Sequence, residues 1–215
     1  MTTLDLTSLE EEDTTPNLLV RDSVGFLTDL GPTICGGDYY SAFTDTNYIT
    51  EKCYILTNGK KWNNSFNLTI PRADASVIQI SASKALVIGG YDENGNDLNT
   101  METVNSSGST RSENTLPFVY ALGGCATKVN ETHGLLIGGW QDGNVSSHTH
   151  FINLNTLETS PGPELKQKRE RFGCAVADNT KVVVGGGVED SWPFKLLATT
   201  EILDLTMPNP SWTSG

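Results

Sequence analysis

The sequence predicts an all-β fold made of repeated four-stranded antiparallel sheets, and three observations predict it. A Gly-Gly pair follows an apolar run four times, at Gly36-Gly37, Gly89-Gly90, Gly138-Gly139 and Gly185-Gly186, with steps of 53, 49 and 47 residues. A second marker keeps the same beat: Leu6, Leu56, Val104, Leu154 and Leu205 are separated by 50, 48, 50 and 51 residues. Between the markers lie short segments rich in Val, Ile, Leu and Thr, bounded by Gly, Asn, Asp and Ser, which is strand chemistry and not helix chemistry.

Each unit reads as a run of short strands. In the second unit, residues 76–80 and 85–88 form a hairpin about Ser83, and 101–104 follows, with a weaker strand towards Arg111. The third runs 121–129, 134–137, 149–154 and a segment near 157–159; the fourth runs 172–177, 181–184 and 200–205. Residues 164–171 are the one helix-like stretch, a charged connector. Glycine at a strand end permits positive φ and close backbone approach. The apolar run before each pair fits a strand buried on both faces. A four-stranded sheet repeating about every 50 residues is the pattern of a β-propeller blade. The repeats fall at roughly 18–70, 71–116, 117–165 and 166–215 in a single domain, with 1–17 a strand of a preceding blade plus an acidic loop.

Composition narrows the function classes. The chain has 215 residues, 37% apolar, with 26 acidic against 14 basic side chains and a formal charge of −12. Such a charge repels phosphate backbones and anionic lipid, so nucleic acid and membrane surfaces are not expected partners. No stretch approaches the roughly 18 apolar residues of a membrane span. Residues 1–15 show no signal-peptide pattern.

The markers carry a family resemblance. A strand ending in Gly-Gly, a variable loop, then a strand with an apolar residue or Tyr, then Trp, resembles the kelch-repeat β-propellers. The first unit matches best, with Gly36-Gly37, Tyr54 and Trp62, and the fourth has Trp212. Arg21, Arg72 and Arg171 stand where that family starts a blade, and Tyr120 stands near the third such place. The second and third units lack the Trp. The resemblance covers roughly residues 18–212 and implies a partial kelch-type propeller, since four blades are fewer than the six or seven usual there; a small four-bladed ring is the alternative. It implies a non-catalytic protein-interaction scaffold. Two alternatives stand beside it: the substrate-recognition propeller of an intracellular ubiquitin-ligase adaptor, and a fragment of a galactose-oxidase-like enzyme.

In a blade of that family the strands carrying Cys35 and Cys53 are neighbours, which implies a disulfide; two buried thiols are the alternative. Cys125 and Cys174 occupy equivalent places in successive units, expected to be too far apart to bridge, and read as small core residues. Asn63, Asn67, Asn105, Asn130 and Asn144 begin glycosylation sequons. With the Cys pair they favour an extracellular or secretory setting over a cytoplasmic one.

No catalytic residues, cofactor or metal site emerge. His148 and His150 share a strand face, with His133 elsewhere, but no carboxylate or Cys stands at ligand spacing. Residues 92–97 resemble the start of a calcium loop with its Gly misplaced, and Asn94-Gly95 reads as a tight turn. The loops after the Gly pairs, 38–51, 91–100, 140–148 and 188–199, hold 8 of the 17 aromatics. These include Tyr39, Tyr40, Phe43, Tyr48, Trp140, Trp192 and Phe194, the expected binding surface. Tyr91 and Trp140 also suit packing over the glycines. Asp142 and its acidic neighbours Asp38, Asp92, Glu93, Glu189 and Asp190 favour a protein partner with basic patches.

Overall fold

A computed structural model describes residues 20–41, 44, 46–57, 61–120, 123–178, 180–191 and 193–215. Among these every regular element is a strand, and no helix is present. The 164–171 stretch, read as helix-like, is an extended connector. Leu165 is its one apolar residue, so the stretch has no apolar stripe for a helix to bury.

Four antiparallel four-stranded sheets follow one another. Sheet I holds Val24–Thr28, Gly31–Cys35, Lys52–Thr57 and Lys61–Asn67; sheet II holds Ser76–Ser81, Lys84–Ile88, Thr100–Asn105 and Gly108–Thr115. Sheet III holds Cys125–Lys128, His133–Ile137, Thr149–Asn153 and Thr159–Pro161; sheet IV holds Gly173–Ala177, Lys181–Gly185, Thr200–Asp204 and Trp212–Ser214. In each the strands pair in chain order, so each sheet is a meander. The loops after three of the Gly pairs contain two-stranded ribbons: Asp38–Ser41 with Thr46–Ile49, Trp140–Gln141 with Asn144–Val145, and Val188–Ser191 with Phe194–Leu196. These ribbons lie where the sequence suggested plain loops.

Alternation sets how the sheets stack. In Val24–Thr28 every second side chain is buried, the period-2 signature of a strand with one face in a core. Three apolar layers result. Val24, Phe26, Cys35 and Cys53 of sheet I meet Ala85, Val87 and Val104 of sheet II. The other face of sheet II, with Ile78, Leu86, Ile88 and Met101, meets Leu136 and Ile152 of sheet III. Leu135 and Ile137 of sheet III meet Val182, Val184, Leu203 and Trp212 of sheet IV. The second strand of each inner sheet is thus buried on both faces, as its unbroken apolar run requires.

Two sequence expectations are corrected here. Cys35 and Cys53 are bonded as direct cross-strand partners, but Cys125 and Cys174 are bonded too, with Cα atoms 6.0 Å apart. They are not equivalent. Cys125 pairs with Ile137, next to its Gly pair, whereas Cys174 pairs with Val184, one residue further from its own. That one-residue offset turns the Cys174 side chain to the opposite face of its sheet, where it meets Cys125 across the layer between sheets III and IV. Two disulfides are compatible with an extracellular or secreted protein. Among the described residues no helix is long and apolar enough to cross a membrane.

The second correction concerns the fourth Gly pair. The left-handed pairs are Gly36-Gly37, Gly89-Gly90, Gly138-Gly139 and Gly186-Gly187, with φ between +52° and +95°. Gly185 is the last residue of its strand. The register therefore slides one residue from the Gly185-Gly186 pairing.

Candidate binding surface

The Gly pairs are the fixed points from which the ribbons project. The second glycine of the first three donates its N–H, at 2.8 Å, to the carbonyl of a lead-in residue of the following sheet: Gly37 to Arg72, Gly90 to Tyr120, Gly139 to Arg169. A Cβ on Gly36 or Gly138 would stand 2.5 or 2.7 Å from the same carbonyls of Arg72 and Arg169, closer than any real side chain approaches. Glycine is required because two backbones touch there.

The lead-in arginines reach the Gly pair of their own sheet with their side chains. The Arg72 guanidinium is fully buried and donates to the carbonyl of Gly89 at 2.6 Å, to the Thr100 hydroxyl at 3.1 Å and to Glu102 at 2.5 Å. Glu102 also accepts the N–H groups of Thr69 and Ile70 and the Ser109 hydroxyl. Burial alone would raise this carboxyl, but Arg72, Ser109 and Thr69 hold it below the usual carboxylate range. Sheet IV repeats the arrangement with Arg169, Gly186, Thr199 and Glu201, and Glu201 accepts the N–H groups of Lys166 and Gln167. The fourth lead-in arginine is therefore Arg169, not Arg171. Arg171 is exposed at φ +54°, in the left-handed turn that Asp22 and Asp74 also adopt. Arg21 is likewise a different residue, exposed and forked onto buried Asp38. A signal for the true pairs exists in the sequence: each is followed by Thr-x-Glu, at Thr100–Glu102 and Thr199–Glu201. In sheet III the two places are taken by Tyr120 and His150. Tyr120 is fully buried, its hydroxyl 3.2 Å from that of Ser76. His150 lies against the Phe118 ring at 4.4 Å, and burial pushes its pKa down to about 4, aided by His148.

The ribbons carry the predicted aromatics. Tyr39 and Tyr48 are cross-strand partners stacked at 5.5 Å, and Tyr40 beside them is 58% exposed. Trp140 is half-buried and borders a cleft of about 650 Å³ shared with Asn144, Lys168, Asp190 and Phe194. Phe194 is 54% exposed and Leu196, on the same short strand, 80%. Tyr91 is half-buried, bridged to Ala73 and Asp97. Phe43 and Trp192 lie outside the described residues. Of the motif aromatics, Trp212 is buried and its indole N–H donates to the Pro163 carbonyl at 2.9 Å. Trp62 and Tyr54 are half-buried on the outward face of sheet I.

Most of the acidic residues singled out around these loops hold the loops themselves. Asp38 pairs with Arg21, Asp190 with Lys168 at 2.6 Å and Glu189 with Lys195 at 2.5 Å. Asp142 accepts the Val119 N–H at 3.1 Å, and Asp92 closes the Asn94-Gly95 turn by accepting two N–H groups. Glu93 is exposed. Asp74 is the exception in character: burial and the Asp22 carboxylate push its carboxyl up to about 6, against Arg171. Among the described residues no three His, Cys, Asp or Glu side chains gather as a metal set. Compared with known proteins, the chain matches no family model and no curated protein.

Proposed function

We propose that the chain is part of a kelch-type β-propeller that serves as a non-catalytic protein-interaction scaffold, binding its partner through the ribbons after the Gly pairs. Face-to-face stacking of four meanders, with the first three Gly pairs each locked onto the lead-in residue of the next sheet, supports the propeller reading. The observation that carries the function is the aromatic content of the ribbons. Tyr40 and Phe194 are more than half exposed, on elements anchored to a rigid framework, which is where recognition anchors sit. The net charge of −12 favours a partner with basic patches. Two disulfides favour an extracellular partner over the intracellular ligase-adaptor alternative.

The test is a binding screen of the chain against a panel of extracellular protein domains. A partner that binds through the ribbons loses at least tenfold in affinity with Tyr40→Ala plus Phe194→Ala. It is unaffected by Met207→Ala, an exposed residue at the opposite end of sheet IV. A partner indifferent to the ribbon pair would defeat the reading.

A further inference from the structure

Sheets III and IV meet at two clefts, one beside the ribbons and one at the far end of the sheets. The far cleft, of about 550 Å³, falls within the roughly 300–1,000 Å³ of small-molecule sites. Phe151, Leu205 and Met207 give it apolar walls, and Ser160, Thr180 and Thr206 add hydroxyls. Among the described residues no Asp, Glu, Lys or Arg lines it, although these make up 19% of the chain. Met207 is 56% exposed there. Such a lining suits a neutral ring with one C–H face and several hydroxyl and amide groups, which is the chemistry of an N-acetylhexosamine.

One residue on the rim says how such a ring would arrive. Asn130 is exposed, lines the cleft and opens the sequon Asn130-Glu131-Thr132, in the turn between the first two strands of sheet III. Its Oδ1 accepts the N–H groups of Thr132 and His133, each at 2.9 Å, and the Thr132 hydroxyl at 3.0 Å. Among the described residues its side-chain hydrogen bonds all fall on Oδ1, so Nδ2, the atom that glycosylation modifies, is turned outward. Three other sequons engage that atom. Asn63 donates to the Thr57 hydroxyl at 2.7 Å, Asn67 to Glu51 at 3.4 Å and Asn144 to the Asp142 carbonyl at 3.3 Å. Asn105 makes the same turn as Asn130, through the Ser107 N–H at 2.8 Å. Asn130 joins that turn to the rim of a cleft.

We propose that Asn130 is an N-glycosylation site and that the N-acetylglucosamine attached to it packs into this cleft over Phe151, Leu205 and Met207. In the transfer, Nδ2 bonds to the anomeric carbon of an oligosaccharide carried on a lipid diphosphate. The bond from that carbon to the diphosphate oxygen breaks, Nδ2 gives up one proton, and the lipid diphosphate leaves. Tethering decides the seating: a sugar fixed at the rim has an effective concentration on the order of millimolar, so contacts too weak to capture a free sugar suffice. A glycan here screens the far end of sheets III and IV from protein contact and leaves the ribbons clear. The inference rests on the extracellular setting proposed above and makes no use of the ribbon surface.

The full chain, made with a secretory leader in a eukaryotic host, tests both parts. Release by peptide N-glycosidase in heavy-oxygen water is expected to mark position 130 as labelled Asp in most molecules. Dilute hydrogen peroxide, which converts exposed Met to its sulfoxide, then reads the cover. Met207 of the glycosylated chain is expected to oxidise at least about threefold more slowly than in Thr132→Ala. That variant loses the sequon but keeps both N–H bonds to Asn130. Met101, fully buried, is expected to stay unoxidised in both chains, which shows that both are folded. An unmodified Asn130 overturns the site; since the leader supplies the compartment, it leaves the extracellular setting and the ribbon reading standing. A modified Asn130 with equal Met207 rates overturns the seating.

Discussion

At the scale of single residues, the structure spends its most costly groups at the lead-in positions. Arg72 and Glu102 are both fully buried and meet with hydrogen bonds on nearly every donor and acceptor. Removing one partner strands the other charge, so Arg72→Met is expected to cost about 3–5 kcal/mol in urea unfolding. Adding Glu102→Gln to that variant is expected to recover part of the loss, and no recovery would show that the charges do not act as a pair. The depressed Glu102 carboxyl has a defined sign. Its contribution is present above the ordinary Glu range and is lost as pH falls through its lowered folded pKa. Asp74 has the opposite sign. Its folded carboxyl, raised to about 6, binds a proton more tightly than in the unfolded chain, so this group withdraws stability as pH rises from about 4 to 6. Asp74→Asn suits the left-handed φ of +53° and is expected to raise stability by about 1–2 kcal/mol at pH 7, discounted for partial exposure. The gain is expected to vanish near pH 3.5, and a gain independent of pH would refute the assignment.

At the scale of elements, the two disulfides do different jobs. Cys35–Cys53 ties two adjacent strands of one sheet across 18 residues, while Cys125–Cys174 ties the first strands of two sheets across 49. Loop-closure entropy gives about 3 kcal/mol for the shorter and about 4 kcal/mol for the longer. Thermal unfolding of Cys35→Ser/Cys53→Ser and Cys125→Ser/Cys174→Ser variants is expected to show both losses, with the second larger. Thiol titration of the native chain is expected to find no reactive thiol; four would show that neither bridge forms. The second bridge was illegible in the sequence for a definite reason. The run Val184-Gly185-Gly186-Gly187 offers two ways to choose a pair. Choosing the earlier one puts Cys174 in register with Cys125 and on the same face, where the two could not meet. One residue of register decides the face, and three consecutive glycines hide it. The lead-in arginine was ambiguous for a separate reason: Arg169 and Arg171 stand two residues apart in one segment, and only Arg169 is buried. What remained legible was anything forced by backbone contact. The Gly pairs recur because a carbonyl of the next sheet stands where a Cβ would be, and that constraint leaves the same mark at each sheet junction. The ribbons left no such mark, because Tyr39, Tyr48 and Phe194 alternate too briefly to be told from an aromatic loop.

For the whole molecule, stacking by nearest neighbours means that stability resides in the layers between sheets as much as in the sheets. Among the described residues, sheets II and III are packed against a sheet on both faces, and I and IV on one. Two glycines in the same conformation should then respond differently to the same substitution. Alanine at either Gly138 or Gly186 must adopt positive φ, at a cost of about 1 kcal/mol. At Gly186 that is the whole cost, because among the described residues the new methyl would meet nothing nearer than the Leu197 carbonyl at 3.9 Å. At Gly138 the new methyl would also press on the Arg169 carbonyl at 2.7 Å and the Phe172 ring at 3.1 Å. Sheet IV must then shift away from sheet III, thinning a layer that holds Ile137, Val184 and Trp212. Gly138→Ala is expected to lose at least about 3 kcal/mol, the range of overpacking added to strain, while Gly186→Ala loses about a third of that. Urea midpoints compare the two directly. Equal losses would mean that the glycines serve only their own turns, and the stacking of sheet on sheet would have to be sought elsewhere than at the Gly pairs.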